Sequence, residues 1–199
     1  MAGLSQGYLL NGLYFFFLAM VILAGKLPAQ IPEDARDYIL SYKGDTTWGY
    51  IFPGNYFRDQ RRIQFLDQYG VKTTYQSDRI AGFGYGDKHY VTKITPYYFS
   101  GVFSDSTIFL WRRIHGPTSL YRFYKQRSIL TFAKGPSYFE LIEKPDGRLY
   151  EVSFTFKWKR VAAAFSDYPE LMREIENGLY KPDEMDRIVE VYNAWYREK

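Results

Sequence analysis

From Asp37 to about Phe154, apolar and polar side chains alternate with a period of two, the pattern of strands that bury one face. Within residues 37–43, Tyr38, Leu40 and Tyr42 share a face, and within 46–52, Trp48, Tyr50 and Phe52 do. Lys43-Gly44-Asp45-Thr46 lies between them and reads as a tight hairpin turn. Residues 61–66 and 71–75 form a second pair across Asp67-Gln68-Tyr69-Gly70. Further strands are expected at 88–93, 97–103, 107–114, 119–124 and 129–132. A last pair, 137–143 and 148–154, flanks Pro145-Asp146-Gly147, where Pro fixes φ and Gly is free to take positive φ. The glycines of Gly82-Phe83-Gly84-Tyr85-Gly86 lack dinucleotide-binding spacing and mark a bulge, a bend or a close approach of strands. Short strands at this spacing predict an antiparallel barrel or sandwich rather than parallel βαβ units.

The period then changes. Trp158, Val161, Ala162 and Phe165 recur at helical spacing. Asp167 and Glu170 have the form of a capping box, with Pro169 in the first turn and a stripe of Leu171, Met172 and Ile175 that stops at Asn177-Gly178. Pro182 and Asp183 open a third helix with the stripe Ile188, Val191, Tyr192 and Trp195. The expected fold class is α+β. A β-rich body over 37–154 carries two to three C-terminal helices over 155–199, and together they form one domain behind a spacer at 30–36.

Ahead of the spacer, Leu13 to Ala24 is a run of twelve apolar residues followed by Gly25-Lys26-Leu27-Pro28-Ala29. As a helix the run would reach ~18 Å, short of a ~30 Å hydrocarbon core, so residues 1–29 read as an export signal ending near Ala29. The alternative is an uncleaved membrane anchor. Export places the domain in the periplasm, on the outer surface or outside the cell; the anchor would hold it at the inner membrane. The chain has no Cys, which excludes a lipid-modified cysteine and disulfides and leaves core packing to hold the domain.

A net charge of +4, with bases and acids interspersed, is no nucleic-acid footprint. Aromatic residues make up 20% of the chain, with 20 Tyr and 16 Phe, which points first to pleated β-structure and second to a sugar-binding face.

Three segments carry a resemblance. Ala29-Gln30 ends the signal; Tyr38 to Ile51 fits Tyr-Ile-x-x-x-x-Gly-Asp-Thr-x-x-Gly-x-Ile; Phe165 to Leu171 fits Phe-x-Asp-x-Pro-x-Leu and is followed by Tyr192-Asn193. With Ser119-Leu120-Tyr121 before an aromatic strand, the chain resembles a family of uncharacterised proteins exported by Bacteroidetes. The resemblance implies export and a one-domain architecture, and no activity. The chain departs from the pattern in its weak signal and its many aromatics.

Chemistry is sparse. His89 and His115 are the only histidines, and with no Cys they make no metal-ligand pattern. Neither Gly-x-Ser-x-Gly nor a phosphate loop occurs, and no cofactor is expected. Glu140, Glu143 and Glu151 lie near the 145–147 turn, and Glu140 or Glu151 with a nearby Asp would serve a hydrolase of envelope glycans. Glu140 and Glu143, three apart, point to opposite faces of a strand. The best binding candidates are two basic–aromatic clusters. Alternation puts Phe109, Trp111 and Arg113 on one face, and Arg122 and Tyr124 on another strand's face. Trp111, Arg113, Arg122 and Tyr124 could hold an anionic glycan by stacking and forked hydrogen bonds. The competing reading is core aromatics with arginines paired at the rim. The expectation is a non-catalytic envelope module whose partner is a protein or glycan, not nucleic acid, with membrane contact only through an uncleaved N-terminal segment.

Overall fold

The computed structural model describes residues 37–95, 106–125, 137–152, 158–181 and 183–199. The signal, the spacer and the strands expected at 97–103 and 129–132 lie outside these residues. β1 (Asp37–Leu40), β2 (Thr46–Phe52), β3 (Arg62–Asp67), β4 (Lys72–Gln76), β5 (Gly82–Tyr85), β6 (Lys88–Thr95), β7 (Ser106–Ile114), β8 (Ser119–Lys125), β9 (Ser137–Glu143) and β10 (Leu149–Val152) form one antiparallel sheet. The helices are α1 (Tyr56–Asp59), α2 (Trp158–Ala164), α3 (Pro169–Glu176) and α4 (Met185–Glu198). The α+β class and the C-terminal helices stand as expected.

Strand order is β10-β9-β8-β7-β6-β5-β1-β2-β3-β4, so β5 returns past three strands to pair with β1. In a flat sheet β4 and β5 would lie ~19 Å apart. The five residues 77–81 could span ~20 Å only if fully extended. They are not extended, because the Arg79 N–H turns back to the Gln76 carbonyl at 3.0 Å. The sheet therefore coils, bringing β3 and β4 round to β7. Ser77 Oγ donates to the Thr107 carbonyl at 2.7 Å, and the Phe109 N–H donates to the Gln60 carbonyl at 2.8 Å. Inside the coil, Ile39, Ile51, Ile63, Phe65, Phe83 and Phe109 form one buried cluster.

Gln60 closes the seam. Here β7 and β8 have parted: their ladder runs from Ile114↔Leu120 to Trp111↔Arg122. The Gln60 side chain enters the gap, donating from Nε2 to the Tyr124 carbonyl at 3.0 Å and accepting from the Tyr124 N–H at Oε1. One amide thus replaces a missing strand neighbour.

The helices cover the β8–β10 end. Leu120, Ile142 and Val152 meet Phe165, Leu171, Ile175, Ile188 and Tyr192 in a second buried cluster. Each such side chain contributes about 1.5–3 kcal/mol by leaving water. Asn193 fixes α4 to the β7–β8 turn, accepting from the Thr118 N–H at 2.7 Å and donating to its carbonyl at 2.8 Å. Gly116 is required below it, since a Cβ there would stand 2.6 Å from Asn193 Nδ2. A third cluster, Ile108, Leu110, Tyr121, Phe123 and Leu141, is buried on the opposite face.

One sequence expectation is corrected and another is narrowed. Asp167 does not cap α3: the cap residue is Tyr168, with no side-chain cap bond. Asp167 instead accepts from Lys144 Nζ at 2.8 Å and from the Tyr192 hydroxyl at 2.5 Å, partners supplied by the tertiary fold. The glycines of 82–85 mark neither bulge nor bend but a strand of close approach, since a Cβ at Gly84 would stand 2.4 Å from the Tyr38 ring.

Candidate functional site

The four binding residues read from sequence meet on one face of the sheet. Trp111 on β7 stands opposite Arg122 on β8, and Tyr124 lies two residues further along that face. Arg113 arrives by a bulge. Arg112 pairs with Tyr121 and Ile114 with Leu120, so Arg113 is the extra residue on β7. Both Arg113 and Ile114 consequently reach the helical side: Arg113 bonds Asp186 of α4, and Ile114 packs on the helix-covered cluster.

Glu140, opposite Arg122 on β9, organises the arginines. Its Oε1 accepts from Arg113 Nη1 and from Arg122 Nη2, each at 2.7 Å, with the Glu140 side chain only 2% exposed. Burial works against the Arg122 charge, and the Glu140 carboxylate more than restores it, leaving its pKa above the ordinary value. At Asp186 burial prevails, raising its pKa despite the Arg113 guanidinium beside it. Arg122 Nε and Asp186 Oδ1 are buried without a hydrogen-bond partner.

Aromatic rings frame these charges. The Trp111 ring has Arg122 at 5.3 Å, Lys88 at 5.4 Å and Arg113 at 5.9 Å from its centroid. The Arg122 guanidinium lies 3.9 Å from the Tyr138 ring centre. Lys88 Nζ is also 5.6 Å from the Tyr56 ring and 5.8 Å from that of Tyr85. Tyr56 of α1 stacks on Tyr124 at 4.3 Å. Tyr138 is 41% exposed and Tyr56 40%, so the rim is open while the Glu140 floor is closed. The arrangement combines flat stacking surfaces with cations.

The arginines are paired, but with a buried carboxylate rather than at a solvated rim. Glu140 and Glu151 form no carboxylate couple, because Glu140 pairs with Val152 and Glu151 with Leu141, on opposite faces of the β9–β10 hairpin. Glu143 belongs to the other face, accepting from the Tyr121 hydroxyl at 2.6 Å and from Lys93 Nζ at 2.5 Å. That face holds an open cavity of about 400 Å³ lined also by Arg112 and His115. His89 is exposed and its Nδ1 lies 2.8 Å from the Tyr38 hydroxyl. Among the described residues no group of three or more His, Cys, Asp or Glu could hold a metal ion, and no helix is long and apolar enough to cross a membrane.

Sequence reasoning missed Lys88, Tyr138 and Asp186 as members of this face. Tyr138 and Glu140 carried a signal, since alternation on β9 puts them on one face; Asp186 is joined only by the docking of α4. No protein family matches the chain, and no curated protein or solved structure is significantly similar to it.

Proposed function

We propose that the chain is an exported, non-catalytic module of the cell envelope that recognises an anionic glycan, or a glycan-bearing protein, through the Trp111 face. The observation that carries this reading is one indole with three cations within 6 Å, bordered by the exposed rings of Tyr56 and Tyr138. Sugar rings stack on such faces, and their acidic groups seek the cations. Export is supported by the apolar run at 13–24 and by the resemblance to exported Bacteroidetes proteins. The buried Glu140 favours recognition over catalysis, because two arginines occupy one of its oxygens.

The test has two parts. The full chain is expressed in a Gram-negative host and its N-terminus read by mass spectrometry; a soluble form beginning at Gln30 is expected, and an intact membrane-held form means residues 8–24 are an anchor. The purified protein is then co-sedimented with isolated envelopes and screened on acidic glycans. Tyr138→Ala and Trp111→Ala should each weaken binding about twofold to thirtyfold, matching about 0.5–2 kcal/mol per ring–cation contact. Tyr138→Ala should do so with an unchanged circular dichroism spectrum. Equal binding by both variants would remove this face as the recognition surface.

A further inference from the structure

A second feature, which shares Tyr124 with the Trp111 face, lies where β7 and β8 part. A cavity of about 610 Å³ opens there, lined by Arg58, Arg61 and Arg62 and by Phe57, Phe123 and Tyr124. Its size is that of a small-molecule site. The described residues lining it include three arginines and no acid. Arg61 and Arg62 are exposed, and neither has an ionic partner among the described residues. Arg58 is paired with Asp59 at 3.8 Å, a carboxylate that also accepts from the Gly54 N–H at 3.0 and 2.9 Å.

Three guanidiniums lining one cavity, with Asp59 beside only one of them, leave a net positive charge there. The fold nevertheless fixes their backbone positions. Asn55 caps α1 by accepting from the Arg58 N–H at 2.9 Å. Gln60, anchored on Tyr124 and still in a helical conformation at φ −71°, ψ −17°, turns the chain so that the successive residues Arg61 and Arg62 line one cavity. In a regular strand they would face opposite ways. Arg62 is further held by the β3–β4 ladder opposite Gln76, which also lines the cavity. Guanidiniums carried on a fixed backbone beside aromatic rings suit a compact, multiply charged anion joined to an apolar or aromatic body. A phosphate monoester carries ≈ −1.5 to −2 charge at neutral pH and answers three arginines better than a single carboxylate.

We propose that this cavity binds a phosphate monoester attached to an apolar or aromatic group. The proposal holds whether or not the chain is exported, and none of its arginines belongs to the Trp111 face. The phosphate can come from a soluble ester or from a lipid headgroup, and the probes separate the two. Phenyl phosphate and inorganic phosphate are titrated by calorimetry against the full-length protein. Phosphatidylcholine vesicles with and without phosphatidic acid are tested by co-sedimentation. Phenyl phosphate should bind more tightly than inorganic phosphate if the source is soluble; binding only to vesicles holding phosphatidic acid marks a lipid headgroup. In either case Arg61→Ala and Arg62→Ala should each weaken binding about tenfold, the loss of one charge-assisted contact. Gln76→Glu, which sets a carboxylate in the cavity without removing an arginine, should weaken it similarly. All three sites are exposed, and thermal melting should be unchanged. The proposal is overturned if none of the phosphates binds, if vesicles bind equally with and without phosphatidic acid, or if the three variants bind like the unaltered protein.

Discussion

Replacing Glu140 by Gln isolates the charge at the centre of the Trp111 face. The substitution keeps the side chain's shape and one carbonyl acceptor but removes the buried negative charge that two half-buried guanidiniums share. Hydrogen bonds to a charged group are worth about 1.5–3 kcal/mol each and neutral ones about 0.5–1.5 kcal/mol. Two such contacts weaken together, so Glu140→Gln should cost about 2–3 kcal/mol. Glu140→Ala removes the acceptor as well and should reach about 3–5 kcal/mol, the usual cost of orphaning a buried charge. Urea denaturation measures both: the midpoint should fall with the slope unchanged, since the same surface is exposed on unfolding. Combining Glu140→Met with Arg113→Met, Arg122→Met and Asp186→Asn should recover much of the loss, because a well-packed apolar cluster replaces buried ion pairs at little net cost. That variant should lose envelope binding while remaining folded. A Glu140→Gln protein within about 0.5 kcal/mol of the unaltered one would refute the account, since a change that small is what surface substitutions give.

Three further outcomes are expected. Gln60→Ala and Asn193→Ala should each cost about 2–4 kcal/mol by chemical denaturation, because each leaves a buried backbone N–H and carbonyl, of Tyr124 and of Thr118, without a partner. Gln60→Glu keeps the acceptor but aims a carboxylate at the Tyr124 carbonyl, so it should be destabilising at neutral pH and milder in acid; equal effects at both pH values would speak against the fork. Burial raises the Asp167 pKa, but the Lys144 and Tyr192 hydrogen bonds outweigh it and hold that carboxyl below its ordinary 3.8. A depressed acid stabilises the fold above its unfolded pKa and loses that contribution as pH falls through the folded value. Stability should therefore decline below about pH 4, and Asp167→Asn should flatten that decline in a series of urea titrations.

Local signals in this sequence carried the hairpins, because a turn such as Pro145-Asp146-Gly147 and two-residue alternation are both set within a few residues. The three C-terminal stripes were legible for the same reason. What escaped was set by distant partners. The glycine-rich strand β5 shows no apolar alternation, and its place beside β1 depends on the coil of the whole sheet. The four residues of α1 are too few for a helical period to register. Alternation correctly put Trp111 with Arg113 and Arg122 with Tyr124, yet the bulge that also turns Ile114 to that side leaves no mark in β7. That the two clusters form one face, with Glu140 between the arginines, follows from strand register and the docking of α4. Asp167 shows the same limit: its spacing to Glu170 imitates a helix cap, while tertiary contacts from Lys144 and Tyr192 claim its oxygens.

The two amide forks join the molecule in a way that its division into β body and helical end conceals. Gln60 grips the far end of β8 from 64 residues upstream, and Asn193 grips the residue just before it from 75 residues downstream. Both grips close long loops, whose entropy is lost before the strand's own ladders repay it. Neither half of the chain can therefore complete its fold alone. β8 therefore stays incompletely secured until both the segment at Gln60 and α4 have docked on it, so the β body and the helical end are coupled through one strand.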